Sequence, residues 1–278
     1  MRDGAAHKPE FEWLRTGVVM LVCLAVPAAL DATQGAPQTQ ATLPPMAADS
    51  KPEFDVVTIK PSDPNVSRGT YFTTNGRHIL AVNANVNDLI SLAYGLHIKQ
   101  IVDGPAWLLT DRFDIDGVPD VEGRPNHAQL RVMIEKLLAS RFKLVFHHEQ
   151  RGLAVYAIAV AKDGPKLTRT DRKPSDSTGF SYTNAVVLTV KNASMADFAD
   201  GMQASFMDKP VVDQTGLKER YDFLLKWTPD VSPAAPQPAD APPGLYTAIQ
   251  EQLGLKLVPT KAPVNVIVID YVERPSEN

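Results

Sequence analysis

The chain has 278 residues, 44% hydrophobic and 22% charged, a balance that specifies packed globular structure and excludes a disordered or fibrous polymer. Its 28 basic and 32 acidic side chains give a formal net charge of −4 and no electrostatic case for nucleic acid as a partner. The single cysteine, Cys23, excludes a disulfide framework within the chain.

Residues 1–32 read as a signal peptide. Arg2, Lys8 and Arg15 precede the run "TGVVMLVCLAVPAAL" from Thr16 to Leu30, and small residues follow it. The run is shorter than the roughly 20 apolar residues that a spanning helix needs. Cleavage near Ala29 or Ala32 would remove Cys23, and retention would leave the run as a tether. The expectation is therefore an exported protein, periplasmic or extracellular, meeting a membrane only through an uncleaved signal segment. Residues 33–52, rich in Ala, Gln, Pro and Thr, cannot offset their ordering entropy and read as a flexible linker.

The first folded module is expected over 53–162. "EFDVVTIKP" is its opening strand, and "TYFTTNGRHILAV" is a hairpin around Asn75-Gly76. Asn85 with Asp88 reads as a helix N-cap, followed by Val86, Leu89, Ile90 and Ala93 on one face. A strand is predicted from Arg112 to Gly117. Asn126 and Gln129 form a capping box ahead of the stripe Leu130, Met133, Ile134, Leu137 and Leu138. A pair of strands, Phe142 to His148 and Ala154 to Ala161, closes the module.

Residues 163–179 read as a solvated connecting loop, with Lys166, Arg169, Arg172 and Lys173 interleaved with Asp163, Asp171 and Asp176. A second module is expected over 180–278. It has a cap at Ser194 with Asp197, an apolar face of Met195, Phe198, Ala199 and Met202, and a strand from Arg220 to Trp227. A Pro-rich loop at 229–244 precedes a weaker helix from Tyr246 to Leu253 and a second closing pair, Leu255 to Pro259 with Val264 to Val272. "VNVIVIDYV" is apolar on both faces and belongs inside a sheet.

The modules match block by block. "NGRHILAVNANVNDLI" aligns without a gap on "NAVVLTVKNASMADFA", pairing Asn83 with Asn192 and Asp88 with Asp197. "IVDGPAWLLTDRFDI" matches "VVDQTGLKERYDFLL" through the triplets Arg112-Phe113-Asp114 and Arg220-Tyr221-Asp222, and "RFKLV" matches "GLKLV". Three blocks in one order imply an internal duplication. The expected fold class is α+β: two similar βαβ-type modules packed into one pseudo-symmetric body, with "EFDVVTIKP" outside the repeat.

Chemistry is sparser. On a strand, Arg112, Asp114 and Asp116 share a face, with Asp111 adjacent. Asp111, Asp114 and Glu149 are thus the candidate catalytic carboxylates, and Trp107 and Trp227 the candidate groove-lining aromatics. Recurrence of the triplet beside different neighbours favours a structural role for it. In "FHHEQ", His147 and Glu149 share a face and could supply two metal ligands, but no third is identifiable and no H-E-x-x-H helix exists, so no metal is expected. Ser140 and Lys143 fit S-x-x-K in letters only, because the serine ends a helix and the lysine begins a strand. With no nucleotide-binding loop or nucleophile elbow present, no cofactor is expected.

"DLISLAYG", "GPAWLLTDRFDI", "LLASRFKLVFHHEQRGLAVYAIAVAKDGPKL", "PVVDQTGLKERYDFLLKWTP" and "LGLKLVPTKAPVNVIVIDYVERPSEN" resemble the secreted soil-associated protein family, a domain of unknown function expanded in soil bacteria. The resemblance runs from about Phe54 to the C-terminus. It implies export and brings no catalytic residues. The leading expectation is a non-enzymatic envelope binding or interaction module, whose partner is an envelope protein or a small ligand. The alternative is a periplasmic or extracellular hydrolase using carboxylates at the module seam.

Overall fold

A computed structural model describes residues 43–65, 69–174, 176, 178–183, 186–228 and 241–276. The signal peptide, the linker as far as residue 42 and residues 229–240 of the Pro-rich loop lie outside them.

Turn and cap chemistry set the first elements. β1 (Phe54–Pro61) is followed by β2 (Tyr71–Asn75) and β3 (His78–Ala84). Asn75 pairs with His78, so the two-residue loop is Gly76-Arg77, one residue later than the Asn-Gly signal suggests. Gly76 takes φ 59°, as a hairpin turn with glycine in first place requires. α1 (Val86–Tyr94) is opened by a reciprocal cap between Asn85 and Asp88, and Val86, Leu89, Ile90 and Ala93 are buried as the stripe predicts. A 3₁₀ turn (Ile98–Gln100), β4 (Ile101–Val102), the single turn α2 (Trp107–Thr110), β5 (Phe113–Pro119), α3 (His127–Arg141) and β6 (Val145–Val160) complete the first half. The Asn126–Gln129 capping box is present at the start of α3.

The second half has β7 (Thr168–Arg169), β8 (Gly179–Thr183), β9 (Val187–Ala193), α4 (Met195–Ser205), β10 (Val211–Asp213), β11 (Tyr221–Lys226), α5 (Leu245–Leu253) and β12 (Leu255–Tyr271), the order of the first half without its 3₁₀ turn and α2. One outer sheet has the order β1-β5-β3-β2 and the other β7-β11-β9-β8. β1, expected outside the repeat, therefore has a counterpart in the two-residue β7.

The closing hairpins are not formed. Each segment is one unbroken strand, β6 of 16 residues and β12 of 17, and the two pair antiparallel with each other from Leu255↔Val160 to Tyr271↔Val145. Gly152 and Pro263, which fall between the two strands expected in each pair, stand opposite one another in mid-ladder. The physical reason lies in the alternation. His147, Glu149, Arg151, Leu153 and Val155 keep one phase straight through Gly152, whereas a turn would break it.

β4 adds to β12 in parallel, and β10 adds to β6 in parallel, giving a central sheet of order β10-β6-β12-β4. Each half thus lends its short strand to the long strand of the other. Because Val211 pairs with Tyr156 as Ile101 pairs with Ile267, Tyr156 corresponds to Ile267. His147 and Glu149 then correspond to Val258 and Thr260, two residues short of Thr260 and Ala262, where extending the match of "RFKLV" with "GLKLV" would set them. Lys143 (φ 52°) and Gly254 (φ 63°) occupy the matching left-handed positions after α3 and α5.

One core gathers Leu89, Ile90, Phe113, Ile115, Leu138 and Phe142 against Ile267 and Ile269 of β12. Another gathers Leu188, Val190, Phe198, Met202, Tyr221, Leu225 and Ile249 against Ile158 and Leu255. The opposite face of the central sheet carries a smaller cluster of Val155, Ala262, Val264, Val266 and Val268.

The repeated Arg-aromatic-Asp triplet has a conformational task. Asn83 (φ 53°) and Asn192 (φ 52°) are left-handed, at bulges where β3 and β9 lose register with β5 and β11. That backbone costs a non-glycine residue about 1–2 kcal/mol. Asp114 and Asp222 each accept the asparagine N–H at 2.8 Å. Arg112 Nη1 donates to the Asn83 carbonyl at 3.1 Å, and Arg220 Nε to that of Asn192 at 2.9 Å. Thr70 and Thr178 hydroxyls donate to the same carbonyls. The arginines also reach the helix-capping acids, Asp88 at 3.4 Å and Asp197 at 2.8 Å, while Phe113 and Tyr221 plug the two cores.

The second clamp is tighter and less exposed, with side-chain exposure of 23% for Arg220 against 40% for Arg112. Arg220→Ala is expected to cost about 1–3 kcal/mol and Arg112→Ala less than about 1 kcal/mol, because burial sets the worth of charge-assisted bonds. Urea denaturation of the two variants checks the order.

Candidate functional site

The most polar part of the central sheet is built by alternation on β6. His147, Glu149 and Arg151 lie on one face, opposite Val268, Val266 and Val264 of β12. Asp270 of β12 joins this face, and Asp103 reaches it from the turn after β4, held at φ 60°. Together they form a chain. His147 Nδ1 lies 2.9 Å from Asp270 Oδ1, and His147 Nε2 lies 3.2 Å from Glu149 Oε1. Arg151 Nε donates to Glu149 Oε2 at 2.9 Å and its Nη2 to Asp103 Oδ2 at 2.7 Å. Beneath it Val266 is fully buried and Val264 nearly so.

Charge neighbours move these groups in the expected directions. The Asp270 carboxylate, and after it Glu149, raise the His147 pKa above the ordinary imidazole value. Arg151, then His147, hold Glu149 below the usual carboxylate range, and Arg151 does the same for Asp103. Glu149 is therefore an ionised acceptor at neutral pH, unlike a general acid, which needs a raised pKa.

The candidate carboxylates are not brought together. Asp111 accepts from Arg274 Nε at 2.7 Å, Asp114 is consumed in the Asn83 clamp and by the Ser62 hydroxyl at 2.7 Å, and Glu149 belongs to the β6 chain. These three networks share no side chain. Trp107 is half-buried with the Arg274 guanidinium 4.9 Å from its ring centre. Trp227, only 5% exposed, packs edge-on against Phe206 and fills the second core, where it lines no groove. His147 with Glu149 gains Asp270, yet among the described residues no group of three such side chains has metal-holding geometry.

Besides the ion pairs of His147 with Asp270 and of Arg274 with Asp111, amides and an imidazole link the two halves. Gln203 Nε2 donates to the Gly95 carbonyl at 3.2 Å, Gln100 Nε2 to that of Asn265 at 2.9 Å, and His97 Nε2 lies 3.3 Å from that of Met207. Burial lowers the His97 pKa, keeping the imidazole neutral. A shallow depression lined by Glu53, Phe54, Val57, Lys136, Leu137 and Ser140 holds none of the candidate residues.

The model of the family "Protein of unknown function (DUF3738)" matches residues 87–272, from the first turn of α1 to just past β12. The chain belongs to this family. DUF3738 is an uncharacterised domain family, the coarser part of what the sequence resemblance implies. No curated protein and no solved structure matches the chain. Among the described residues of this DUF3738 chain, no helix is long and apolar enough to cross a membrane.

Sequence reasoning overlooks Asp103, Arg151 and Asp270. The one signal is an acid inside the mostly apolar "VNVIVIDYV". His147 is expected to titrate above the ordinary imidazole pKa, with Asp270→Asn lowering it more than Glu149→Gln. Since the folded pKa is the raised one, the ion pairs add stability below the unfolded pKa and lose it as pH rises through the folded value. Proton-detected NMR titration of His147 in the three proteins reads the shift.

Proposed function

We propose that this DUF3738 chain is an exported, non-enzymatic binding or interaction module of the cell envelope, built from two modules that arose by internal duplication. The observation that carries the reading is the fate of the reactive-looking side chains. Asp114, and its counterpart Asp222, hold left-handed asparagines, Asp111 pins the C-terminal Arg274, and Glu149 is locked between His147 and Arg151. Groups committed to holding conformation are poorly placed for acid/base work at a common substrate atom.

Duplication is supported by the common element order, by the matching orders of the outer sheets and by the equivalent clamps. Export rests on the basic and apolar pattern of residues 1–32. An envelope protein or small ligand is the partner, and exposed sheet edges suit the first because main-chain bonding adds a strand.

The full chain, immobilised and exposed to envelope extract, is expected to retain a specific partner in near-stoichiometric amount. Nothing retained above bare matrix overturns the reading. Turnover of an ester, glycoside or peptide substrate that Glu149→Gln or Asp111→Asn abolishes would establish the hydrolase instead.

A further inference from the structure

The central sheet has two outer edges of unlike chemistry. Tyr156 N–H donates outward to the Pro210 carbonyl, and the Ile158 carbonyl accepts outward from Gln214 N–H. The even-numbered residues of β6 therefore direct both backbone groups away from β12. β10 covers only Tyr156 to Ile158. Phe146, His148, Gln150, Gly152 and Ala154 are left presenting N–H and C=O groups that have no partner among the described residues. All but the half-buried Phe146 are exposed.

On β12 the same reasoning sends the odd-numbered residues outward. Two of these are Pro259 and Pro263, which have no N–H, and the Asn265 carbonyl is already taken by Gln100. Outward prolines are how native sheets protect an edge. By the correspondence of Tyr156 with Ile267, they stand where β6 has His148 and Gly152. One edge is closed and its counterpart is open.

We infer that the open edge of β6 pairs antiparallel, about a two-fold axis at Gln150, with the same edge of a second copy of this chain. This rests on the interaction-module reading and names its partner. Centred there, Phe146 meets Ala154 of the second copy, His148 meets Gly152 and Gln150 meets Gln150, so every open backbone group is used, about ten hydrogen bonds in all. Glu149 falls opposite Arg151 of the second copy, and Arg151 opposite its Glu149. Sliding the register by two residues either way puts Glu149 against Glu149 or Arg151 against Arg151, which like-charge repulsion disfavours. The order Glu-Gln-Arg is thus self-complementary and fixes the register. A closed two-fold pair also leaves neither open edge free, and it joins two four-stranded sheets into one of eight.

Sedimentation velocity of the full chain over a wide concentration range tests this. The expected result is a reversible shift from the mass of one chain to that of two. His148→Pro with Gly152→Pro, copying into β6 what β12 carries, is expected to weaken dimerisation at least about tenfold with an unchanged circular dichroism spectrum. Should that variant fail to fold, the charge variants decide. Glu149→Arg alone and Arg151→Glu alone are each expected to be monomeric, and their mixture is expected to form heterodimers. A wild type that stays monomeric throughout, or a mixture that does not associate, overturns the inference. A monomer that still retains its envelope partner overturns only this inference, whereas a dimer that retains none overturns the interaction reading of the previous section as far as envelope partners are concerned.

Discussion

The antiparallel ladder between β6 and β12 is the constraint on which the rest of the molecule depends. It is the longest strand pairing in the fold, and both main cores draw residues from its strands. Ile267 and Ile269 enter one core at one end of β12, Ile158 and Leu255 the other core at the opposite end. The residues of each strand that face the other have their backbone groups satisfied by the ladder rather than by water. β4 and β10, of two and three residues, are too short to be strands alone and exist as additions to this ladder.

Around the ladder, each outer sheet is tied to its helix by the same device. A bulge at a left-handed asparagine interrupts the ladder of β3 or β9 just before its last paired residue, and the next residues cap α1 or α4. The turn is strained for any side chain, and an arginine, an aspartate and a threonine from neighbouring segments hold it. Asparagine suits the position because its short polar side chain tolerates left-handed backbone better than a bulky one does.

Much of this is legible in the amino-acid sequence because it rests on local chemistry. Asn85 with Asp88, Asn126 with Gln129 and Ser194 with Asp197 announce the helix starts, since a cap is decided by neighbours within one turn. The apolar stripes that follow are buried as their spacing implies. What is illegible is non-local. That Val145–Val160 and Leu255–Tyr271 are single strands depends on each finding the other across about a hundred residues, and no local pattern encodes that pairing. The chain from Asp270 through His147, Glu149 and Arg151 to Asp103 is hidden for the same reason. The triplet Arg112-Phe113-Asp114 is legible as structural through its recurrence, although its object, the asparagine at the bulge, is not.

The exchange of short strands between halves has a consequence for how the chain comes into being. When synthesis has passed Val160, β6 has neither of its sheet neighbours, since β10 and β12 both lie further along the chain. The first core likewise waits for Ile267 and Ile269. Neither half can close before the last strand is available, so the native state is reached only by closing a loop of about a hundred residues, a slow step by topology. Until then the nascent chain stays unfinished, because β12, which enters both main cores, follows every other described element of the fold.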